Sequence, residues 1–202
     1  MKVAALIRQH VGLAQEGVLF RAALFLEHGS RAAVDQALSR LARAGVLVRV
    51  ARGLYLRPKH NRFVGLVLPQ PGQVAEAFAN LSGARVEVQG AEAARRLGLS
   101  TQVPLQPIFV TSGPAKRLRL GALEVVLRHA APGRLNFAGT PVGLALAALR
   151  YLGRGAVNQD ALETARRRLP PGALAALAEK QPGVPAWLAR AVRAFNDQPA
   201  HE

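Results

Sequence analysis

Between Ser30 and Gly45 the apolar side chains recur at the spacing of an α-helix. Serine is favoured at the N-cap of a helix, and glycine is common where a helix ends in a residue of positive φ. At about 100° per residue the intervening positions separate into two faces. The face predicted to pack on a core consists of Val34, Ala37, Leu38 and Leu41. The face predicted to remain free carries Ala32, Gln36, Ser39, Arg40 and Arg43.

After Gly45 the apolar period changes from 3.6 to 2, which predicts a β-strand. In this strand Val46, Val48 and Val50 alternate with Leu47 and Arg49. A turn at 51–53 leads to a second strand at 54–56, and Pro58 ends it. The pattern therefore predicts a helix followed by a two-stranded basic ribbon.

The residues before Ser30 predict two further helices, at 1–10 and 17–28. The second of these would pack on the Ser30 helix through Phe20, Leu24 and Phe25. Helix, helix, recognition helix and β-ribbon wing are the elements of a winged helix-turn-helix, in that order. We therefore predict a DNA-binding domain of this type over residues 1–60.

The remainder predicts a mixture of helices and strands. Helices are predicted at 73–81, 91–97 and 140–152, and strands at 85–88, 107–111, 117–120 and 123–129. Glycines and prolines then divide the tail into three short helices, which form either a cap on the preceding domain or a separate bundle. The predicted fold class is α+β: the N-terminal winged helix-turn-helix, a mixed α/β domain with a small, largely antiparallel sheet at 61–153, and a C-terminal helical extension at 154–202. The helix at 140–152 is expected to be buried, through Leu144, Ala148, Tyr151 and Leu152.

The charge balance indicates a polyanionic partner. The 202 residues contain 27 Lys and Arg against 12 Asp and Glu, a formal net charge of +15. Residues 1–60 hold 10 of the basic and 3 of the acidic side chains, so the positive charge is densest there. Because cations and amides bind phosphates and purine edges, this region is the candidate DNA surface.

The candidate DNA-binding residues are Ser30, Arg31, Gln36, Ser39, Arg40, Arg43, Arg49, Arg52, Arg57 and Lys59. Among them Gln36 and Arg40 are the candidate base readers, since an amide pairs with adenine and a guanidinium with guanine. The competing interpretation is an ordinary helix and hairpin with solvated arginines. Asp35 is the single acidic residue between 30 and 59, whereas a merely solvated face usually mixes its charges.

Two other groups of cations stand outside this region. Lys116, Arg117 and Arg119 lie on a predicted hairpin and form a possible secondary basic patch. These cations could extend the contact with DNA phosphates, bind an acidic partner protein, or simply be solvated. The sequence slightly favours solvation, which is usual for cations in loops. Arg166, Arg167 and Arg168 accompany Asp160 and Glu163, and we interpret them as charges that stabilise the end of a helix.

No catalytic motif is present in the sequence. It contains no P-loop, no GxGxxG and no GxSxG, and the five histidines are scattered without metal-ligand spacing. There is no cysteine, so disulfides, thiol chemistry and cysteine-bound zinc are excluded. We therefore expect a protein that is not an enzyme and that needs no metal or cofactor.

The apolar runs are too short for a secretory signal or a membrane span. The expectation is a cytoplasmic protein without membrane contact.

Four blocks of the sequence resemble AbiEi-type antitoxins of type IV toxin-antitoxin systems, over about residues 10–150. These blocks are GSRAAVDQALSRLARAGVLVRVARGLYLRPK at 29–59, GAEAARRLGLSTQVP at 90–104, IFVTSGP at 108–114 and VLRHA at 126–130. The resemblance implies that the N-terminal domain binds inverted repeats in the promoter of its own operon. It also implies that the C-terminal part neutralises a cognate toxin of the nucleotidyltransferase type.

The leading hypothesis is thus a sequence-specific DNA-binding autorepressor that acts as an antitoxin and binds double-stranded DNA as a monomer or a dimer. The alternative is a protein-interaction module that docks an acidic partner without specific DNA binding, because a fold alone does not determine function. RNA binding is a third hypothesis. It is weaker because Tyr55 is the one aromatic residue among the wing cations, and readers of single-stranded RNA usually offer several.

Overall fold

The computed structural model describes residues 3–179 and 181–197. The α-helices are α1 Val3–Leu13, α2 Arg31–Arg43, α3 Pro71–Leu81, α4 Gly90–Arg96, α5 Pro141–Leu152, α6 Gln159–Arg168 and α7 Ala186–Asn196. The strands are β1 Leu19–Arg21, β2 Val48–Ala51, β3 Leu54–Leu56, β4 Lys59–Asn61, β5 Gly65–Val67, β6 Val86–Val88, β7 Ile108–Thr111, β8 Lys116–Leu120 and β9 Leu123–His129. Short 3₁₀ helices occur at Ala22–His28, Pro132–Leu135 and Ala175–Ala178. The predicted α+β class with small antiparallel sheets is confirmed.

The chain folds into two compact units. Unit 1 contains Met1–Ser82 and Lys116–Val126, and unit 2 contains Gly83–Ala115 and Leu127–Glu202. The predicted domain limits at 60 and 153 do not coincide with this division. Helix α3 packs on β1, within unit 1, and the tail helices pack within unit 2, where α7 contacts the 3₁₀ helix Ala175–Ala178 and that helix contacts α5. The tail is therefore part of a larger compact unit.

A three-stranded antiparallel sheet in the order β1-β3-β2 organises the N-terminal part of unit 1. Leu19 pairs with Leu56, and Val48 pairs with Leu56 on its other side. Helices α1 and α2 and the 3₁₀ helix Ala22–His28 bury their apolar residues in one core. Its members are Ile7, Val11, Phe20, Ala22, Phe25, Val34, Ala37, Leu38, Leu41, Leu47 and Tyr55.

The prediction of a helix over 17–28 is wrong for the first half of that segment. Leu19–Arg21 form β1, and Ala22–His28 form a 3₁₀ helix. Gly17, at a φ of 83°, donates its N–H to the carbonyl of Arg57 over 2.8 Å, and Val18 accepts from Arg57 over 3.0 Å. This pairing with a distant part of the chain supplies the backbone bonds that a helix would otherwise make. Leu24, predicted to pack on α2, is half exposed.

The strand after Gly45 follows its predicted alternation only in part. Leu47 and Val50 are both buried although they lie three residues apart, because Leu47 precedes β2 and its N–H donates to the carbonyl of Leu41 at the end of α2, over 3.3 Å. Within β2 the register shifts between Arg49 and Ala51. Such a bulge puts two residues opposite one and changes the face on which later side chains stand. Arg49 is nevertheless exposed, as predicted.

In unit 2, β6 pairs antiparallel with β7, and the end of β9 lies beside β7. Helix α5 begins as predicted, since Thr140 Oγ1 accepts from the N–H of Gly143 over 3.1 Å. Helices α4 and α5 approach so closely that a β-carbon built on Gly90 would lie 2.5 Å from Tyr151 Cβ. The prediction that Tyr151 is buried is wrong. Its position at the penultimate residue of α5 leaves its side chain 50% exposed.

Candidate nucleic-acid interface

Helix α2 has the two faces that its sequence predicts. Ser30 Oγ accepts from the N–H of Ala33 over 3.3 Å, which caps the start, and Gly45 adopts a φ of 73° just after the end. The predicted apolar residues are buried against the unit 1 core. Because that face is anchored, the opposite face is presented to solvent, with Arg31, Gln36, Arg40 and Arg43 exposed.

Arg31 lies where the start of α2 meets the turn between β2 and β3. Its Nε donates to Asp35 Oδ2 over 2.9 Å, an i,i+4 ion pair that fixes the guanidinium along the helix. Its Nη2 lies 3.9 Å from the position that a β-carbon on Gly53 would take. The exposed Arg52 stands next to Gly53 in that turn. The fold thus brings a predicted helix cation and a predicted ribbon cation to one place.

Further along α2, Arg43 Nη2 donates to Ser39 Oγ over 3.3 Å. Ser39 is half-buried, so it is better placed to orient Arg43 than to reach a groove itself. Gln36 and Arg40 stand on the exposed face as the base-reading hypothesis requires.

Arg57 differs from the other predicted DNA-binding cations because its guanidinium is bonded within the fold. The half-buried Arg57 donates through Nη1 to the carbonyl of Gly12, over 2.9 Å, and to the carbonyl of Ala14. These carbonyls belong to the end of α1 and the residues after it, where backbone acceptors lack helical partners. Arg57 therefore stabilises the fold, and this does not favour its place among the candidate DNA-binding residues. Lys59 begins β4, opposite Val67, in a second hairpin.

The possible secondary patch falls in the same unit as α2. Strand β8 packs against β2 within unit 1. Along β8 the exposed Arg117 and Arg119 alternate with the buried Leu118 and Leu120. Arg117 Nη1 lies 3.4 Å from Glu124 Oε2 on β9. The strand therefore adds cations to the edge of the β2–β3 ribbon, which neither the sequence distance nor the local pattern could reveal.

The β4–β5 hairpin was missed by sequence reasoning. Phe63 at its tip is 79% exposed, and the guanidinium carbon of Arg62 lies 4.4 Å from the centroid of its ring. Asn61 Oδ1 accepts from the N–H groups of Phe63 and Val64, over 2.8 and 3.3 Å. The sequence does contain a signal for this hairpin: Asn61 can close a turn with its own side chain, and Gly65 begins the next strand.

The formal charge differs between the two units. Unit 1 has 14 basic and 5 acidic side chains in its sequence, a formal charge of +9, against 13 and 7 in unit 2. In unit 2, Glu92 pairs with Arg95 and Arg96, and Glu163 pairs with Arg166 and Arg167. Arg166, Arg167 and Arg168 lie in the last turn of α6, at the helix end where the sequence predicts them. Hydrogen bonds from Arg95 and Arg166 lower the pKa of Glu92 and of Glu163, respectively. The first unit is thus the more strongly cationic.

The stacking role considered for Tyr55 does not fit its position. Tyr55 is 4% exposed and belongs to the unit 1 core, so its ring is not available to a base.

Over residues 3–179 and 181–197, no three His, Asp or Glu side chains come together as metal ligands. Within the same residues, every helix is too short or too polar to cross a membrane.

A family model described as "Family of unknown function (DUF6088)" matches residues 6–169, well over half of the chain. The chain belongs to the DUF6088 family. The match begins within α1 and ends just after α6, so the DUF6088 region includes both the candidate interface and most of unit 2.

No curated protein matches this DUF6088 chain. Among solved structures, the crystal structure of RV2827C protein from Mycobacterium tuberculosis aligns at 16% identity and a TM-score of 0.39. The alignment covers 95% of this chain and 76% of that one. Similarity at this level carries no argument about function.

Proposed function

We propose that this DUF6088 protein binds double-stranded DNA through unit 1 and reads its sequence with α2. The observation that carries the proposal is the meeting of Arg31, on the outer face of α2, with the β2–β3 turn that holds Arg52. The order of α1, β1, 3₁₀ helix, α2, β2 and β3, with the sheet order β1-β3-β2, is typical of a winged helix-turn-helix. The formal charge of +9 on unit 1 supports a polyanionic binding partner.

The proposed roles follow from exposure and side-chain chemistry. Gln36 and Arg40 are exposed near the middle of α2 and can form bidentate hydrogen bonds to adenine and guanine in a major groove. Arg49 and Arg52 hold phosphates, with Arg117 and Arg119 of β8 extending the footprint. Arg57 is removed from this set because its guanidinium is engaged at the end of α1.

The proposed biological role is autorepression by an antitoxin. It rests on the sequence resemblance to AbiEi-type antitoxins, which implies binding to inverted repeats in its own promoter and neutralisation of a nucleotidyltransferase-like toxin. The blocks at 90–104 and 108–114 that sharpen the resemblance fall within unit 2. We therefore propose unit 2 as the toxin-facing part, and no catalytic role for the protein.

One observation favours the second candidate, a protein-docking module. Phe63 and Val64, at the tip of the β4–β5 hairpin, are 79% and 72% exposed. Exposed apolar side chains at neighbouring positions are common at protein interfaces. In this role the hairpin contacts the partner, and the basic face of α2 complements its acidic residues.

Fluorescence anisotropy across a salt series tests the two roles directly. The purified protein is titrated against its own upstream DNA and against a scrambled duplex of equal length. A large preference for the upstream DNA is the expected result, since base reading adds to the salt-dependent phosphate attraction. Equal and steeply salt-dependent binding to both duplexes would refute sequence reading. Absence of binding at moderate salt, with capture of an acidic neighbouring gene product, would favour docking.

A further inference from the structure

A cavity of about 470 Å³ lies within unit 2, outside the candidate DNA surface. Residues of β6, the end of β9, the segment at 134–138 and α5 form its walls. Its polar lining includes Glu87, Arg128, His129, Arg134, Arg150 and Tyr151. The volume falls within the range of about 300–1,000 Å³ that is typical of small-molecule sites.

The cavity is positively charged. Three guanidinium groups and one carboxylate line it, which gives a formal charge of +2 with His129 neutral. Glu87 is anchored by the backbone, since its oxygens accept from the N–H groups of Val88 and Gly139 over 2.9 and 3.1 Å. An isolated cluster of cations in a cleft attracts anions and concentrates them there.

Arg150 is the least solvated of these cations. It is half-buried, and its Nη1 donates to the carbonyl of Gly183 over 3.3 Å, which fixes the guanidinium against the wall. Burial, together with the nearby charge of Arg134, lowers the pKa of Arg150. Two neighbouring guanidinium groups that repel one another gain from an anion shared between them.

The remaining wall offers a ring and apolar surface. Tyr151 lines the cavity and is 50% exposed, and its Cβ lies close to the backbone of Gly90 on α4. Phe137, Val110 and Leu146 contribute to the apolar lining. A flat heterocycle is the group that an exposed tyrosine ring beside cations stacks with most readily.

We propose that this cavity binds a small phosphorylated molecule of the nucleotide class. The phosphate is held by Arg134 and Arg150, because guanidinium groups match phosphate oxygens in charge and geometry, and Arg128 also lines the cavity. The base stacks on Tyr151. The cavity lining lies in unit 2, whereas the proposed DNA-binding residues lie in unit 1.

Isothermal titration calorimetry on the full chain tests the proposal, with adenosine and guanosine 5′-monophosphates, inorganic phosphate and the two nucleosides as probes. We expect at least one monophosphate to bind, inorganic phosphate to bind more weakly, and the nucleosides not to bind measurably. Arg134→Gln removes an exposed guanidinium that the fold does not depend on. It should lower the affinity for the monophosphate by roughly tenfold or more. Tyr151→Ala should lower the affinity for the monophosphate but leave the affinity for inorganic phosphate unchanged.

Two matched variants exclude non-specific attraction. Arg154→Gln removes an exposed cation of unit 2 that does not line the cavity, and Arg8→Gln removes an exposed cation of α1 in unit 1. Both should leave nucleotide affinity within about twofold of the native value. If no monophosphate binds the native chain, or if Arg8→Gln weakens binding as much as Arg134→Gln does, the cavity is not a nucleotide site.

Discussion

The guanidinium of Arg31 lies beside the backbone of Gly53. Arg31 Nη2 is 3.9 Å from the position that a β-carbon on Gly53 would occupy. That separation is an ordinary van der Waals contact, so a side chain at Gly53 has room. The backbone of Gly53, however, has a φ of 68°, a conformation that costs other residues about 1–2 kcal/mol. Gly53→Ala should therefore lower the free energy of unfolding by about that amount, measured by urea denaturation.

Gly12→Ala is the matched control for this prediction. Gly12 lies in α1 with no atom within 4 Å of its potential β-carbon, so alanine should stabilise the protein by roughly 0.5–1 kcal/mol. Equal stability changes of the same sign in both variants would contradict the assignment of strain to the β2–β3 turn.

The proposed base reader and phosphate binder should give different phenotypes. Arg40→Ala should relax the base preference at one operator position and cost about 1–3 kcal/mol on the specific site. Arg52→Ala should weaken specific and random DNA alike and reduce the salt slope. Anisotropy on single-position operator variants measures both effects. If both mutants lose the same affinity on both kinds of DNA, the separation of roles is wrong.

Arg57→Ala should affect stability and leave DNA recognition largely intact. The substitution removes the donor to the exposed carbonyl of Gly12 and the half-buried carbonyl of Ala14, and a hydrogen bond of this kind contributes about 0.5–1.5 kcal/mol. Thermal unfolding measures the loss. Arg49→Ala is the control, because its exposed side chain should change DNA affinity with little change in the melting temperature. If Arg57→Ala were as stable as the native protein but bound DNA more weakly, Arg57 would belong to the DNA-binding residues.

Local patterns predicted those elements that depend on local signals. Helix α2 has a serine cap, a terminal glycine and one apolar face, and these coincide with its observed limits and buried residues. Strands β8 and β9 alternate regularly around a tight turn, so their limits also agree closely with prediction. In each case the residues that determine the structure are neighbours in the sequence.

Elements that depend on distant pairing were missed. Leu19–Arg21 is a strand because β3 supplies its hydrogen-bond partners, and periodicity alone favoured a helix there. Arg57 resembles its cationic neighbours in sequence, yet a backbone 43 residues away occupies its guanidinium. The placement of β8 against β2 and the cavity lined by Arg128, Arg134 and Arg150 likewise arise from long-range packing.

If β8 extends the phosphate footprint, its cations should contribute to the salt dependence of DNA binding. Each phosphate that is no longer neutralised by the protein reduces the slope of log K against log salt by roughly 0.9. We expect Arg119→Ala to flatten the slope by about that amount on both upstream and scrambled duplexes. Arg193→Ala, which removes a unit 2 cation bonded to the carbonyl of Ala178, is the control. An unchanged slope in Arg119→Ala would leave β8 outside the interface.

The paired carboxylate of Glu92 should make stability depend on acid pH. Its hydrogen bond from Arg95 is the largest cause of its lowered pKa, opposed by burial and aided by Arg96. A carboxyl whose pKa is lower in the folded state stabilises the protein above its unfolded pKa, near 4.3, and loses that contribution as pH falls through the folded value. The effect should be modest, because the arginine partners are substantially exposed.

Glu92→Gln should therefore lower the melting temperature slightly at neutral pH, and the difference from the native protein should shrink as the pH falls below about 4.3. Differential scanning calorimetry between neutral and acid pH measures this convergence. Glu179→Gln, at the end of a 3₁₀ helix and bonded to the Gln181 amide rather than to an arginine, is the control. A difference that stays constant down to the acid limit would show that Glu92 acts through packing, since loss of a charge interaction must follow the protonation of the carboxyl.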